Sequence, residues 1–336
     1  MHFLKENKQG ADVRALPCGW RRPPLGKGNT LMSRKKLHKI KRFLPLYLMT
    51  LPALAYLFIN NYMPMPGLIL AFKKFNAQMG IYGSPWAGLK NFEFLVESRD
   101  FPIILRNTIL YNLAFIVLDL VFGVLLAIFI TEIRNLRARK VAQSLVLFPF
   151  VVSIIIVSYM VRSFLDPEAG LINHLLLDMG LDSIQFYSKE QYWPFILIFV
   201  HLWKSIGYGC IIYISSILGI DQSLMESASL DGASKIQKIR YITLPFLKPT
   251  MITLTLLAVG RICTTDFGLF YQVPQDSGLI MDVTNTIDTF VYRALLTQNN
   301  VGMSAAAGFF QSVVGFTFIL IFNGITRKVS KENALF

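Results

Sequence analysis

The residues that could do chemistry in this chain are few, and they lie in apolar surroundings. Asp119, His201, Lys204, Arg261 and Asp266 each interrupt or end a long hydrophobic run. Ionisable side chains in such runs are costly unless they face a partner, a wet cavity or a ligand. On helices, Asn112, Asp119 and Gly123 stand at spacings of seven and four and share one face. His201, Lys204 or Ser205, Tyr208 and Ser215 do likewise, as do Arg261 and Thr265, with Asp266 at the outer end. Asp119 with His201 has the parts of an acid–base pair in a membrane enzyme. Asp119, Lys204 and Arg261 have the parts of an ion relay in an autonomous transporter or channel. Trp203, Tyr208 and Phe267 offer flat faces on which sugar rings can stack, with ordinary helix packing as the competing use. Lys204 requires a wet cavity or an acid partner, and Asp119 is one such acid. Cys18, Cys210 and Cys263 and the four histidines show no metal-ligand spacing. No Gly-x4-Gly-Lys-Ser/Thr phosphate loop occurs, so the chain has no ATP cradle of that kind.

The elements that must position these residues are set by hydropathy. Of 336 residues, 54% are apolar and only 16% charged, with mean hydropathy +0.49. Soluble domains carry about 25% charged residues. A bilayer core takes about 20 apolar residues per helix. Six stretches qualify, near 44–62, 107–130, 141–164, 193–218, 249–268 and 304–325. None alternates with a period of two, so the spans are expected to be helices and the fold an all-α polytopic membrane protein with six transmembrane helices.

The net charge of +13 has a location. Twelve Lys and Arg fall in residues 1–43. Four follow span two (Arg134, Arg137, Arg139, Lys140), four follow span four (Lys235, Lys238, Arg240, Lys248), and three end the chain (Arg327, Lys328, Lys331). By the positive-inside rule both termini are cytoplasmic, in a multi-pass cell membrane protein. The excess is a topology signal and not a nucleic-acid footprint. Residues 1–31 are polar without periodicity and are expected to be disordered, with translation starting at Met32. Residues 32–43 form a basic anchor, 44–330 the membrane domain and 331–336 a cytoplasmic tail. Residues 63–106, 165–192 and 269–303 are long external segments, expected to form a structured surface.

The cytoplasmic loop 219–248 carries the most information. Ser223-Leu224-Met225-Glu226 has the form of a capping box and predicts a helix from about Leu224. Asp231-Gly232 predicts a sharp turn. A second helix is expected from Ala233, ending before Pro245.

Glu226-Ser227-Ala228-Ser229-Leu230-Asp231-Gly232-Ala233, followed after nine residues beyond Gly232 by Ile242-Thr243-Leu244-Pro245, resembles the "EAA" loop of binding-protein-dependent ABC importer permeases. Ser227 replaces the usual middle Ala. Pro85-Trp86-Ala87-Gly88-Leu89-Lys90-Asn91-Phe92 is similar to the external segment after span one in sugar-importer permeases. Asp266 to Val273 and Ile287 to Arg293 resemble stretches of the oligosaccharide and polysaccharide-fragment subgroup, which includes permeases for pectin-derived and alginate-type glycans. The resemblance implies a type I, maltose-importer-like permease fold and import of a carbohydrate into a bacterial cytoplasm by alternating access. It implies a second permease subunit, a cytoplasmic ATPase dimer that holds ATP and Mg, and an extracellular solute-binding protein, with no cofactor in this chain. It assigns ATPase coupling to Glu226, Ser227, Ala228, Asp231, Gly232, Ile242, Leu244 and Pro245. The substrate pathway is expected to use Asp119, Trp203, Lys204, Tyr208, Arg261, Asp266 and Phe267.

Overall fold

The computed structural model describes residues 28–329, with side chains from Phe43 to Lys328. The expectations for 1–31 and 331–336 lie outside the described residues, except that 28–31 form the first turn of a helix. The chain divides into two compact units, Met1–Met65 and Pro66–Phe336.

The first unit holds α1, Gly28–Leu57, which contains Pro45 and Pro52 and runs on into a wide turn at Phe58–Tyr62. Every side chain from Phe43 to Tyr62 is exposed within the chain, although most are apolar. A helix that is apolar all round is suited to lipid or to a protein partner.

The second unit is helical, and its one β feature among the described residues is an isolated bridge, Lys73 to Trp86. In order come α2 (Lys90–Glu97), α3 (Asp100–Thr131), α4 (Leu136–Val151), α5 (Ile154–Leu165), α6 (Leu171–Asp178), α7 (Trp193–Leu218) and α8 (Gln222–Leu230). A turn at Lys235–Lys238 and a wide turn at Ile239–Thr243 lead into α9 (Leu244–Val259), followed by α10 (Phe267–Gln272), α11 (Ile287–Leu296) and α12 (Val301–Val329). Five described helical runs are long and apolar enough to cross a membrane, and α4 with α5 makes a sixth that is bent by 92°.

Helices α3 and α7 form the central pair. On α3 the buried residues Asn107, Tyr111, Phe115, Gly123 and Ala127 recur every fourth position around Asp119. On α7 the matching seam is Trp193, Leu197, Val200, Gly207, Cys210 and Ile214. Spacings of three and four keep such a seam on one side of a helix. One apolar cluster gathers Phe115, Trp193, Leu197, Val200 and Phe270. A second gathers Val124, Ala127, Cys210, Ile214 and Leu247 toward the end that carries the basic loops. Gly207 has no room for a side chain, because a Cβ there would overlap the backbone of Val146 on α4.

The remaining order comes from places where helices stop. At Val152 the chain turns extended, which breaks span three, expected as continuous from 141 to 164. Pro149, which cannot donate a backbone hydrogen bond, sits in the last turn before the break. Lys204 Nζ on α7 donates to the carbonyls of Phe150 (3.1 Å) and Val152 (2.6 Å). Span five differs as well. Its helical run spans Lys235–Val259, not 249–268, and passes through Pro245, where a helix end was expected. Pro245 is tolerated because it lies in the first turn of α9. Residues 260–266 are therefore not helical, and Arg261 and Thr265 share no helical face.

That 260–266 segment is held by side chains. Asn112 Nδ2 on α3 donates to the carbonyls of Ile262 (2.9 Å) and Thr264 (3.1 Å). Gln311 Nε2 on α12 donates to that of Cys263 (2.6 Å). Asp288 on α11 accepts the amide of Thr265 (2.6 Å) and a hydrogen bond from Gln311 (3.0 Å). Further along α3, Asn107 and Tyr111 donate to the carbonyls of Asp282, Asn285 and Val283, and Thr108 accepts the amide of Ile287.

The Pro85–Phe92 motif builds a clamp at the far end. Asn91 Nδ2 donates to the carbonyls of Ala71 and Lys73, and Gly302 of α12 packs directly on the Asn91 amide. Buried Lys73 donates to the carbonyls of Ile81 and Tyr82 beside the Trp86 ring. The Gly308, Ser312, Gly315 stripe of α12 meets a neighbour closely at Gly315, which lies against the Gly260 carbonyl.

An unpaired buried polar group costs about 1–3 kcal/mol. Asn112→Leu leaves two carbonyls without their donor, so the thermal midpoint of the purified protein in detergent should fall by several degrees. Thr131→Val removes only a bond to its own helix and should leave the midpoint unchanged. Equal midpoints for Asn112→Leu and the unaltered protein would contradict this role.

Candidate functional site: a membrane cavity and an exposed capped loop

A cavity of about 650 Å³ opens between α3, α7, α9 and the 260–266 segment. Its polar lining is Asn112, Asp119, His201, Tyr208, Tyr213, Thr255, Arg261 and Thr264, set among Phe115, Ile116, Ile212, Leu254 and Leu257. Of the expected pathway residues, Asp119, Tyr208 and Arg261 line it. The Asp119 carboxylate meets His201 Nε2 at 3.0 Å, and the His201 ring stacks on Phe115 at 3.7 Å. The second oxygen of Asp119, Oδ1, is buried without a partner. Arg261 follows the end of α9, where a cation is favoured by the helix dipole. Its guanidinium forms no ion pair or hydrogen bond among the described residues.

The other four expected residues lie elsewhere. Lys204 is bound to the break between α4 and α5 and does not pair with Asp119. Trp203 packs against the apolar cluster around Val200 and Phe270. Asp266 caps α10 by accepting the Leu269 amide at 3.2 Å. Phe267 stacks on Tyr271 (4.9 Å) and meets Tyr292 (4.6 Å), in an aromatic group apart from the cavity lining. Asp119 and Lys204 thus have separate partners and Arg261 has none, so the three form no contiguous relay.

Asp119 and His201 were paired in the sequence by residue type, as an acid–base couple, and the structure brings them together across α3 and α7. Spacing along one helix carries no information about which residue of the other helix faces it. Asn112 was legible as a polar residue on the same face as Asp119, but the break it supports was not.

The loop between α7 and α9 is rigid by local chemistry. Asp221, not Ser223, caps α8: its carboxylate accepts the Ser223 amide at 2.9 Å. That bond holds the Asp221 carboxyl below the usual carboxylate range. The cap therefore contributes stability at neutral pH and loses it as the pH falls through that depressed value. Glu226 accepts from Gln222 Nε2 (3.0 Å) instead of closing a box with Ser223. The true capping box is eleven residues later, at Ser234 and Gln237, beyond the Gly232 turn.

The end of α8 is closed by two backbone bonds, Gly232 N to Ser229 O (3.2 Å) and Ala233 N to Ala228 O (2.9 Å). These are the paired bonds of a Schellman turn, which places its glycine in the left-handed region. Gly232 has φ +77°, and space around it is open, so the backbone conformation alone demands glycine. Ser227 accepts the Asp231 amide, and Lys238 Nζ reaches Ser229 Oγ at 2.6 Å.

Nothing on α8 is buried. Leu230 is 89% exposed, Ile236 77% and Tyr241 69%. Ala228, Asp231, Gly232, Tyr241 and Ile242 line a shallow hollow of about 310 Å³. Leu244 and Pro245 open α9, which carries this loop straight into the membrane region.

Comparison with known proteins agrees with this geometry. Residues 119–331 match the model of the family described as binding-protein-dependent transport system inner membrane component. The chain is 31% identical over 287 residues to the polygalacturonan/rhamnogalacturonan transport system permease protein YteP of Bacillus subtilis, covering 85% of this chain and 89% of that one. It is 28% identical over 250 residues to the arabinooligosaccharide permease AraP of the same species, covering 73% and 76%. A chain from the crystal structure of a bacterial ABC transporter involved in import of the acidic polysaccharide alginate superposes with a TM-score of 0.79 at 31% identity, covering 88% of this chain and 99% of that one. With its helical spans, its exposed capped loop and the family match over 119–331, this chain is a multi-pass inner-membrane permease subunit of an ABC transporter and belongs to the binding-protein-dependent transport system inner membrane component family.

Proposed function

We propose that the chain is one of two permease subunits of an ATP-driven carbohydrate importer, with both termini in the cytoplasm, and that it moves its cargo by alternating access. The observation that carries this is α8, a helix capped at both ends with no buried residue of its own. A tight turn at Asp231–Gly232 links it to the helical run Lys235–Val259 that enters the membrane region, and exposed apolar side chains surround it. Such a helix transmits a displacement instead of fraying. In this reading it seats in a cytoplasmic ATPase, with Glu226 and Asp231 as charged contacts, and a solute-binding protein delivers cargo at the opposite face. A periplasmic protein carrying alginate pentasaccharide is bound in the related alginate transporter structure, which supports such a partner here.

The cargo reading rests on the cavity and the relatives. Arg261 is a cation in the cavity wall that forms no ion pair among the described residues, the cavity's one acid, Asp119, being paired with His201, and a cation at membrane depth is costly when unpaired. A uronate carboxylate would relieve that cost through charge-assisted hydrogen bonds. Transport of polygalacturonan/rhamnogalacturonan and of alginate by two relatives supports an acidic glycan.

Two outcomes test these assignments. Glu226→Lys and Gly232→Pro should abolish ligand-stimulated ATP hydrolysis in the reconstituted complex while the spans stay folded, and normal stimulation in both variants would refute coupling through α8. In uptake assays with matched acidic and neutral oligosaccharides, Arg261→Gln should lose acidic uptake by tenfold or more and keep neutral uptake. Lys204→Gln should instead lower thermal stability and reduce both uptakes alike. A selective loss in Lys204→Gln, with Arg261→Gln unaffected, would overturn the cargo assignment.

A further inference from the structure

A second cavity lies between α9, α12 and the middle of α3. It is a groove of about 270 Å³. Ile252, Leu256, Val259 and Phe322 form its apolar walls, while Lys248, Thr255 and Thr326 are its polar residues. Lys248 is near the start of α9 and Thr326 near the end of α12, so these two lie at the end of the groove where the basic loops are, with Thr255 further along α9. Arg327 and Lys328 follow Thr326 directly in the last turn of α12. None of Lys248, Arg327 and Lys328 has an ion pair or hydrogen bond among the described residues. From Lys248 to Val259 the groove follows α9 for about 16 Å at 1.5 Å per residue.

We infer that this groove binds one anionic phospholipid, with an acyl chain along Ile252, Leu256, Val259 and Phe322 and the phosphate held by Lys248 and the Thr326 hydroxyl. The charge pattern selects the occupant. One end is cationic and carries a hydroxyl donor, the rest is apolar apart from Thr255, and no Asp or Glu lines the groove to receive an ammonium or choline head group. Basic pockets between helices at a cytoplasmic surface are suited to anionic head groups, which Lys and Arg near such a surface attract. A protein helix laid in the same place would cover the apolar walls but leave Lys248 unpaired unless it brought an acid. The groove adjoins Leu120 and Thr255, which also line the larger cavity, so an occupant here would brace the wall of that cavity.

The test uses the assembled transporter reconstituted in vesicles of equal parts phosphatidylglycerol and phosphatidylcholine, re-extracted in mild detergent, with retained lipid read by native mass spectrometry. The unaltered complex should retain phosphatidylglycerol in preference to phosphatidylcholine. Lys248→Gln should lower the retained phosphatidylglycerol several-fold, Lys248→Arg should restore it, and Ile252→Trp, which fills the groove, should lower it in a complex that still assembles. Equal retention of the two lipids by the unaltered complex would overturn the site. So would unchanged retention in both Lys248→Gln and Ile252→Trp. A disulfide from Ile252→Cys to a partner permease subunit would also overturn it, by showing that protein covers the groove.

Discussion

Backbone groups that leave a helix inside an apolar slab have no water to turn to, and this one constraint shapes the molecule. Each N–H or C=O left unpaired there costs several kcal/mol. The chain breaks its spans at Val152 and again at Gly260, and side chains on neighbouring helices meet both breaks. Lys204 takes the carbonyls of Phe150 and Val152. Asn112, Gln311 and Asp288 take the groups of residues 262 to 265. The polar residues that look most chemical in the sequence are therefore divided between two tasks, and several of them serve the backbone.

The cavity follows from the same breaks. Because α9 stops at Val259, Arg261 is presented from a non-helical segment, and Asn112 fixes that segment against α3. The Asp119–His201 pair lies on the α3–α7 seam between two apolar clusters, so it interrupts the packing without dissolving it. Polar groups converging on an apolar wall are the usual character of a ligand site, and here polar side chains make up half of the lining. The basic end of the unit has the opposite design. There α8 is stabilised by its own caps and Schellman turn, with no tertiary burial, which leaves its surface free for a partner.

Much of this was legible in the sequence, for physical reasons. A span is a property of about 20 contiguous residues, so hydropathy located the apolar runs, and 193–218 coincides with α7. The Gly232 turn was legible because only glycine adopts φ +77° cheaply. What was not legible depends on contacts between helices. Ser223 and Glu226 have capping-box spacing, yet Asp221, two residues earlier, competes for the same amides and wins. Asp119 was an acid in reach of Lys204 on paper, but His201 lies one turn nearer the start of α7 and faces it. Span five was placed too late because Arg261 and Asp266 sit in an apolar stretch that a window average reads as helix. Proline at 245 was expected to end a helix, and it starts one.

The central claim is that the α8 surface seats in an ATPase and moves with its nucleotide state. Cys210 and Cys263 are buried, so a cysteine placed at Leu230, at the tip of α8, can be addressed selectively within the described residues. The direct measurement is disulfide cross-linking of Leu230→Cys to cysteines placed around the ATPase surface, in membranes, with and without ATP. The account predicts cross-linking to the ATPase in both conditions, with the favoured partner positions changing when ATP is added. Absence of any ATPase cross-link from Leu230→Cys, in a complex that still hydrolyses ATP and transports, would contradict it.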